Sequence, residues 1–572
     1  MGEGEDVSNW VEKYDGTKER LLALALEAKI YRKQKIIVNA GEIGEVARKI
    51  EHALITVQDV CPLLNRAGKL VQPLWHKVRD RDGREVKLCK LEPIRWRSLR
   101  ELADYHAAEF YHNKVYKDGT VKEIRCDPPV HIIQTIIDRE HGSFPDVVGL
   151  INSPTMRADG SLITEEGYDE ATQLYHKPAD ETLILPDIPE KPSRPQAEAA
   201  LKRLEELVSE CHFVAKGAKG VDQSVAVAAM MTTVLRGAFP FAPIFLFHKP
   251  EPGTGASYLA NIISVLATGH ESVPLAANND NPAEFYKELC TACVLGRPIL
   301  NLNNLIADLK SPLLSQMVTE VNVELRRFGK NDETIHCDCR AMTILANGNN
   351  IQVVGELVRR TLTCRLDAKT EYPETLTYKT PTPIQRIKKD RGRYLADIFT
   401  ILRAYRSANK ETKGIHLAGF EEWAKIVQHP LIWLDRADPV KSLEKARVRD
   451  PDRSGLRERL SVLFKHFKNN EFIAADIYER AIKTEATASG RFINKNQDLF
   501  DAFSENGRLL GTKLIGKQLM KDEDRKWDEC YLELVSESSK TSNSYRVVGK
   551  PPGATDPEAW GPDPATPGGK RG

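Results

Sequence analysis

Between residues 244 and 266 the apolar pattern changes character twice. Ile244-Phe245-Leu246-Phe247 is a continuous apolar run that predicts a buried strand. Pro250-Glu251-Pro252-Gly253-Thr254-Gly255-Ala256-Ser257 then predicts a turn, and Tyr258, Leu259, Ile262, Ile263 and Leu266 follow at helical spacing. Upstream, strand-like runs at 35–38 and 63–75 mix with helical patterns at 44–53, 99–111 and 130–139, which predicts an α+β region over 31–177. Five prolines between Pro178 and Pro195 predict a linker over 178–195, since proline breaks both helix and ladder. A helix over 195–209, with Leu201, Leu204 and Leu207 on one face, opens an α/β core over 196–380. Residues 381–454 read as helical, and 455–549 as helices ending in a two-stranded ribbon. The proline- and glycine-rich tail, 550–572, reads as disordered.

Strand, glycine-rich turn and helix N-terminus together form a phosphate-binding loop, in which backbone N–H groups and the helix dipole converge on an anion. Gly253, Thr254, Gly255, Ala256, Ser257 and Tyr258 are the candidate contacts. Such a loop ordinarily carries a lysine where this chain has Ala256. One ammonium–phosphate contact at 4 Å is worth roughly 4 kcal/mol at an effective dielectric near 20, so its loss puts catalysis in doubt. Lys249 precedes the turn and is not read as its replacement.

A second apolar run, Pro298-Ile299-Leu300-Asn301-Leu302, ends in Asn303 and Asn304. Phosphate-loop ATPases place a Mg²⁺-ordering aspartate at such a strand end; Asn303 is similar in shape but neutral. A third run, 342–346, ends in Asn347-Gly348-Asn349-Asn350, and Asn349 suits a sensor of the γ-phosphate. Arg359 and Arg360 follow at the spacing of an arginine finger, commonly presented to a neighbouring subunit. Alone, Gly-Asn-Asn is an ordinary turn and paired arginines an ordinary solvated face. The order and spacing of all the signals together are what point to a nucleotide site.

Between the second and third runs, alternation up to Leu325 and its return at 334–339 predict a hairpin, with Arg326, Arg327 and Lys330 near its tip around Phe328. It reads either as a grip on a DNA backbone or as an ordinary basic surface. Near the C-terminus, Lys513, Lys517 and Lys521 lie four apart on one helical face beside the ribbon. A winged helix that contacts DNA phosphates and one that binds protein would look alike there. Arg386, Lys388, Lys389, Arg391 and Arg393 read as a solvated face, with a DNA or phosphate contact as the alternative. Cys290-x-x-Cys293 and Cys337-x-Cys339 read as buried thiols rather than zinc ligands.

Composition adds limits. The 82 basic and 81 acidic residues among 572 nearly cancel, so any nucleic-acid surface is local. Ten cysteines in a chain of this length read as reduced thiols. No apolar run is long enough to cross a bilayer, and the polar N-terminus is not read as a signal peptide, which together imply a cytoplasmic protein.

In these motifs the chain resembles phage and mobile-element primase–helicases, a Toprim-associated, superfamily 3-like AAA+ group akin to the poxvirus primase-helicase. The resemblance rests on Gly253-Thr254-Gly255-Ala256-Ser257, Asn303-Asn304, Gly348-Asn349-Asn350 and Arg359-Arg360 in the core. Outside it stand Ser153-Pro154-Thr155-Met156-Arg157-Ala158-Asp159-Gly160-Ser161, Phe420, Trp423, Trp433 and Ala437-Asp438-Pro439. It implies an α/β multi-domain protein with a AAA+ core, an α+β N-terminal domain and a C-terminal winged helix, residues 1–30 being the end of a Toprim primase domain. It also implies a hexameric ring acting on single-stranded or forked DNA with ATP and Mg²⁺, Ser257 binding the metal, and possible partnership with a Toprim primase. Ala256 and Asn303 depart from that pattern. The chain therefore reads as a helicase module impaired in hydrolysis, or alternatively as a non-enzymatic pseudo-ATPase scaffold or loader.

Overall fold

The computed structural model describes residues 33–552 except 80–82, 84, 140–141, 180–182, 327–333, 377–380, 450, 487–491, 506 and 538–541. The expectations for residues 1–30, for Arg327 and Lys330, and for the tail beyond 552 lie outside the described residues. Two compact units are present: Met1–Ile351 with Arg359–Leu443, and Gln352–Val358 with Glu444–Gly572.

At the centre of the first unit is an all-parallel five-stranded sheet. Its strands are β1 (Ile244–Lys249), β2 (Pro274–Ala276), β3 (Ile299–Leu305), β4 (Thr343–Asn349) and β5 (Thr361–Arg365). They lie in the order β2-β3-β4-β1-β5, with Phe245 opposite Leu345 and Leu362, and Ile299 opposite Thr343. Parallel strands are covered on both faces, and β1 and β4 are accordingly buried along nearly their whole length.

Helix α1 (Arg194–Leu207) begins with a capping box between Ser193 and Gln196 and buries Leu201, Leu204 and Leu207, as its spacing predicts. Helix α2 (Val221–Val234) is buried around its circumference, at every residue but its first. Helix α3 (Ala256–Thr268) follows the glycine-rich turn and ends at Gly269. Helix α4 (Pro282–Leu295) is capped by the Asn281 side chain. Trp423, fully buried, donates its indole N–H to Thr232 Oγ1 of α2 at 2.8 Å.

The N-terminal part of this unit has a core of its own around Val46, Ile50, Leu54, Leu99, Phe110 and Ile133. The helix predicted over 99–111 is corrected here. Helix Trp96–Leu102 passes through one wider turn into strand Ala108–Val115, which pairs in parallel with Gln34–Ile37. Ala108 and Phe110 are buried alternately with more exposed neighbours, so strand pairing prevails over helical spacing. Arg66, buried, fastens this part to the core: its guanidinium donates to the carbonyls of Val147, Val148, Cys293, Val294 and Asp338. Cys290, Cys293, Cys337 and Cys339 are all buried.

The second unit contains helices Pro451–Phe467, Ala474–Ala481, Gln497–Ala502 and Thr512–Asp522, then the antiparallel strands Tyr531–Ser536 and Ser544–Val548. Phe472–Ile473 pairs on the outer side of the last strand. Helix Thr512–Asp522 buries Ile515 and Leu519 and exposes Lys513, Lys517 and Lys521. No described helix is long and apolar enough to cross a membrane.

Candidate nucleotide site

Strand order locates the site. The chain leaves β1 through α3 toward β2 at one edge, whereas the chain leaving the adjacent β4 passes to β5 on the far side of β1. Neighbouring parallel strands whose connections diverge open a crevice at their carboxyl ends, where open α/β sheets bind ligands. Lys249 and Asn349 are the paired last residues of these two strands, and the glycine-rich turn begins one residue beyond Lys249.

The turn is held from several directions. Gly253 (φ 79°) and Gly255 (φ 96°) take left-handed backbone conformations, Gly255 as the residue that starts α3. Thr254, buried, donates Oγ1–H to the Glu251 carbonyl at 2.6 Å, and Asn350 donates its backbone N–H to Lys249 at 2.9 Å and its side chain to Pro250 at 3.3 Å. Leu259 is the first residue of α3 to donate within the helix, to the Gly255 carbonyl. The amides before it therefore have no intrahelical acceptor, and no acidic residue occupies the first turn to compete for them.

Ser257 donates its hydroxyl to Asn303 Oδ1 at 2.9 Å, with Asn347 Oδ1 at 3.4 Å. Asn347 is fully buried, receives the Asn304 amide at 3.5 Å, and leaves its Nδ2 without an acceptor. A bulge between Leu302 and Leu305, with Asn304 at φ 54°, shapes the end of β3. Gly348 permits the close approach of β4 to it: a Cβ there would lie 2.6 Å from the Leu305 carbonyl oxygen. The end of the second apolar run thus meets the loop serine. Asn349 is exposed at the end of β4, while Asn347, two residues earlier on the same face, makes the contacts with Ser257.

A cavity of about 500 Å³ lies along the turn, within the range of small-molecule sites. Its lining joins Lys249, Thr254, Ser257 and Tyr258 to Leu207, Cys211 and Ile262, and to Pro383 at the start of helix Pro383–Lys389. Burial pushes the Cys211 thiol up to about 12, which leaves it neutral. Lys249 is only 7% exposed, and burial lowers the pKa of its ammonium. No described residue forms a hydrogen bond or ion pair with that ammonium.

These residues fit a nucleotide's polyphosphate and base: amides and a cation stand beside apolar walls, with Glu210 and His212 also in the lining. They do not fit a protein-held Mg²⁺, because the oxygens around the Ser257 hydroxyl belong to neutral amides and hard dications select carboxylates. Among the described residues no group of three or more His, Cys, Asp or Glu side chains is placed to hold a metal ion.

The remaining candidates lie outside that lining. Arg360 is half-buried and donates to Ser315 Oγ of helix Pro312–Met317, and Arg359 is exposed. Arg326 is exposed at the end of Val323–Arg326, which pairs with Thr334–Cys337 as the predicted hairpin. Asn347, Lys249 and the apolar walls are not among the residues expected from sequence.

No family model matches the chain, and no curated protein does. Among solved structures, the apo C-terminal region of NrS-1 aligns over 88% of this chain and 100% of its own, at 11% identity and a TM-score of 0.36. The SCCmec type IV Cch active helicase aligns over 85% of this chain and 97% of its own, at 9% identity and a TM-score of 0.30. Superpositions this loose carry no argument about what this chain does.

Proposed function

We propose that the chain is a nucleotide-binding module of the AAA+ helicase type, which binds ATP in the cavity beside 250–258 and hydrolyses it poorly. The observation that carries this reading is the coincidence of a glycine-rich strand–turn–helix with the divergence point of a five-stranded parallel sheet. The Ser257–Asn303 hydrogen bond supports it, since it joins the loop to the strand end that delivers the metal-ordering carboxylate in active motors.

The chain's own groups can bind and orient the nucleotide. The amides at the head of α3 hold phosphate, and Leu207, Ile262 and Pro383 exclude water from the base. What is missing is charge: Ala256 brings no cation to the β- and γ-phosphates, and Asn303 no anion to a metal. Poor hydrolysis follows from those two positions. Ring assembly places the exposed Arg359 where it can reach a neighbour's nucleotide, and DNA contact falls to the 323–337 hairpin and to Lys513, Lys517 and Lys521 of the second unit.

DNA-stimulated ATP hydrolysis, measured on the parent chain and on Ala256→Lys with Asn303→Asp, tests this reading. Slow turnover in the parent and recovery in the double variant are expected. A double variant that binds ATP and single-stranded DNA without turnover contradicts a disabled motor and favours the second reading, a pseudo-ATPase scaffold, for which the all-amide wall around Ser257 is the supporting observation.

A further inference from the structure

The glycine-rich turn has two roots. At one, the start of α3, Ala256 is 1% exposed and offers nothing beyond a methyl group. At the other, the end of β1, Lys249 is 7% exposed and lines the same cavity as Gly253, Thr254 and Ser257. Two-residue alternation puts it on the face of Phe245 and Phe247, which are fully buried, so its stem leaves the sheet through an apolar layer before its ammonium meets the cavity.

An ammonium largely withdrawn from bulk water with no counter-charge is costly, and such groups ordinarily carry a partner. No described residue supplies one, and no neighbouring acid offsets the effect of burial on Lys249. The cavity meanwhile presents the amides at the head of α3, which also call for an anion. The wall beside Ser257 is neutral: Asn303 and Asn347 supply amide oxygens where a metal-binding site needs carboxylates.

Resting on the nucleotide-site reading above, we infer that Lys249 is the phosphate-binding cation of this site, and that it lets the site hold a nucleotide polyphosphate without a protein-held divalent ion. The cation has changed roots, from the helix side of the turn to the strand side. There it neutralises phosphate charge but does not depend on a metal-ordering acid across the cavity. This accounts for a loop that keeps the phosphate cradle yet lacks both charged partners of hydrolysis.

The test is equilibrium titration of the full chain with ATP and with adenosine, each with Mg²⁺ and with excess chelator, alongside thermal denaturation without nucleotide. The parent is expected to bind ATP with affinities within about threefold in Mg²⁺ and in chelator. Lys249→Met is expected to weaken ATP at least about tenfold, leave adenosine unchanged and melt no lower than the parent, because it removes a buried unpaired charge. Lys249→Arg is expected to retain most of the ATP affinity, and Ala256→Lys to restore it in the Lys249→Met background. The inference is overturned if Lys249→Met binds ATP as the parent does, or if ATP binding requires Mg²⁺. It is likewise overturned if Lys249→Met loses ATP and adenosine together with a lower melting temperature. A parent that binds neither ATP nor adenosine refutes the nucleotide-site reading itself, and the inference with it.

Discussion

Replacing Gly255 with alanine separates the shape of the phosphate loop from its stability. Gly255 sits at φ 96°, ψ 8°, and a Cβ built there meets no atom within 4 Å. The substitution therefore costs only the backbone preference of an L-residue, about 1–2 kcal/mol for the left-handed region, with no clash added. Gly41 provides the control: it has φ 87°, also with nothing within 4 Å of its Cβ, and it lies in a turn outside the cavity lining. Gly41→Ala and Gly255→Ala should thus lower stability by similar amounts. They should differ in binding. At residue 255 any relaxation toward negative φ turns the amides at the head of α3 away from the cavity. Losing one charge-assisted hydrogen bond to phosphate, about 1.5–3 kcal/mol, weakens ATP binding by about tenfold to a hundredfold. Thermal denaturation and equilibrium ATP titration of both variants provide the measurements. ATP affinity equal to the parent's in Gly255→Ala refutes the reasoning. So does a stability loss about 2 kcal/mol beyond that of the Gly41 control, since it would reveal a contact that the loop geometry excludes.

Three further outcomes follow from the same structure. Arg66→Met removes five hydrogen bonds to buried and part-buried carbonyls and should cost about 3–5 kcal/mol, read as a lower urea midpoint; a change under about 1 kcal/mol contradicts the clamp. In the second unit burial alone would raise the Asp498 carboxyl, but hydrogen bonds from Lys465 and His466 hold it down at about 2. Because its folded value lies below the ordinary one, its stabilising contribution is present above about pH 4 and lost as pH falls through about 2. Asp498→Asn should flatten that acid limb in a circular-dichroism pH titration, and an unchanged limb contradicts the assignment. If helix Thr512–Asp522 contacts DNA phosphates as proposed, Lys517→Gln should reduce the slope of log binding constant against log salt by about 0.7–0.9; an unchanged slope removes that lysine from the interface.

The strand, turn and helix around residues 244–266 were legible from local pattern, because a buried parallel strand is continuously apolar and the glycines mark where the backbone turns left-handed. The 323–337 hairpin was legible for the same reason, its alternation being local. Residues 99–107 are helical as their spacing implies, but the expected helix overruns into 108–111, a segment whose fate depends on pairing with Gln34–Ile37, more than seventy residues earlier. No local signal marks Asn347, which closes an apolar run and whose meeting with Ser257 depends on β4 lying beside both β1 and β3. Lys249 precedes the turn, so the loop pattern does not include it. Its distance along the chain from Ser257 hid the fact that both roots of a tight loop border one cavity, although its two-residue relation to Phe245 and Phe247 already placed it on an inward face. Arg66 carried no sequence signal, since its acceptors are backbone carbonyls from three distant segments.

Photolabelling with 8-azido-ATP, followed by mass-spectrometric mapping of the modified peptides, tests the existence of the nucleotide site most directly. Labelling is expected at the cavity-lining residues Leu207, Glu210, Cys211, His212, Tyr258, Ile262, Thr382 or Pro383, abolished by excess ATP. Labelling confined to other segments, or undiminished by ATP, contradicts it.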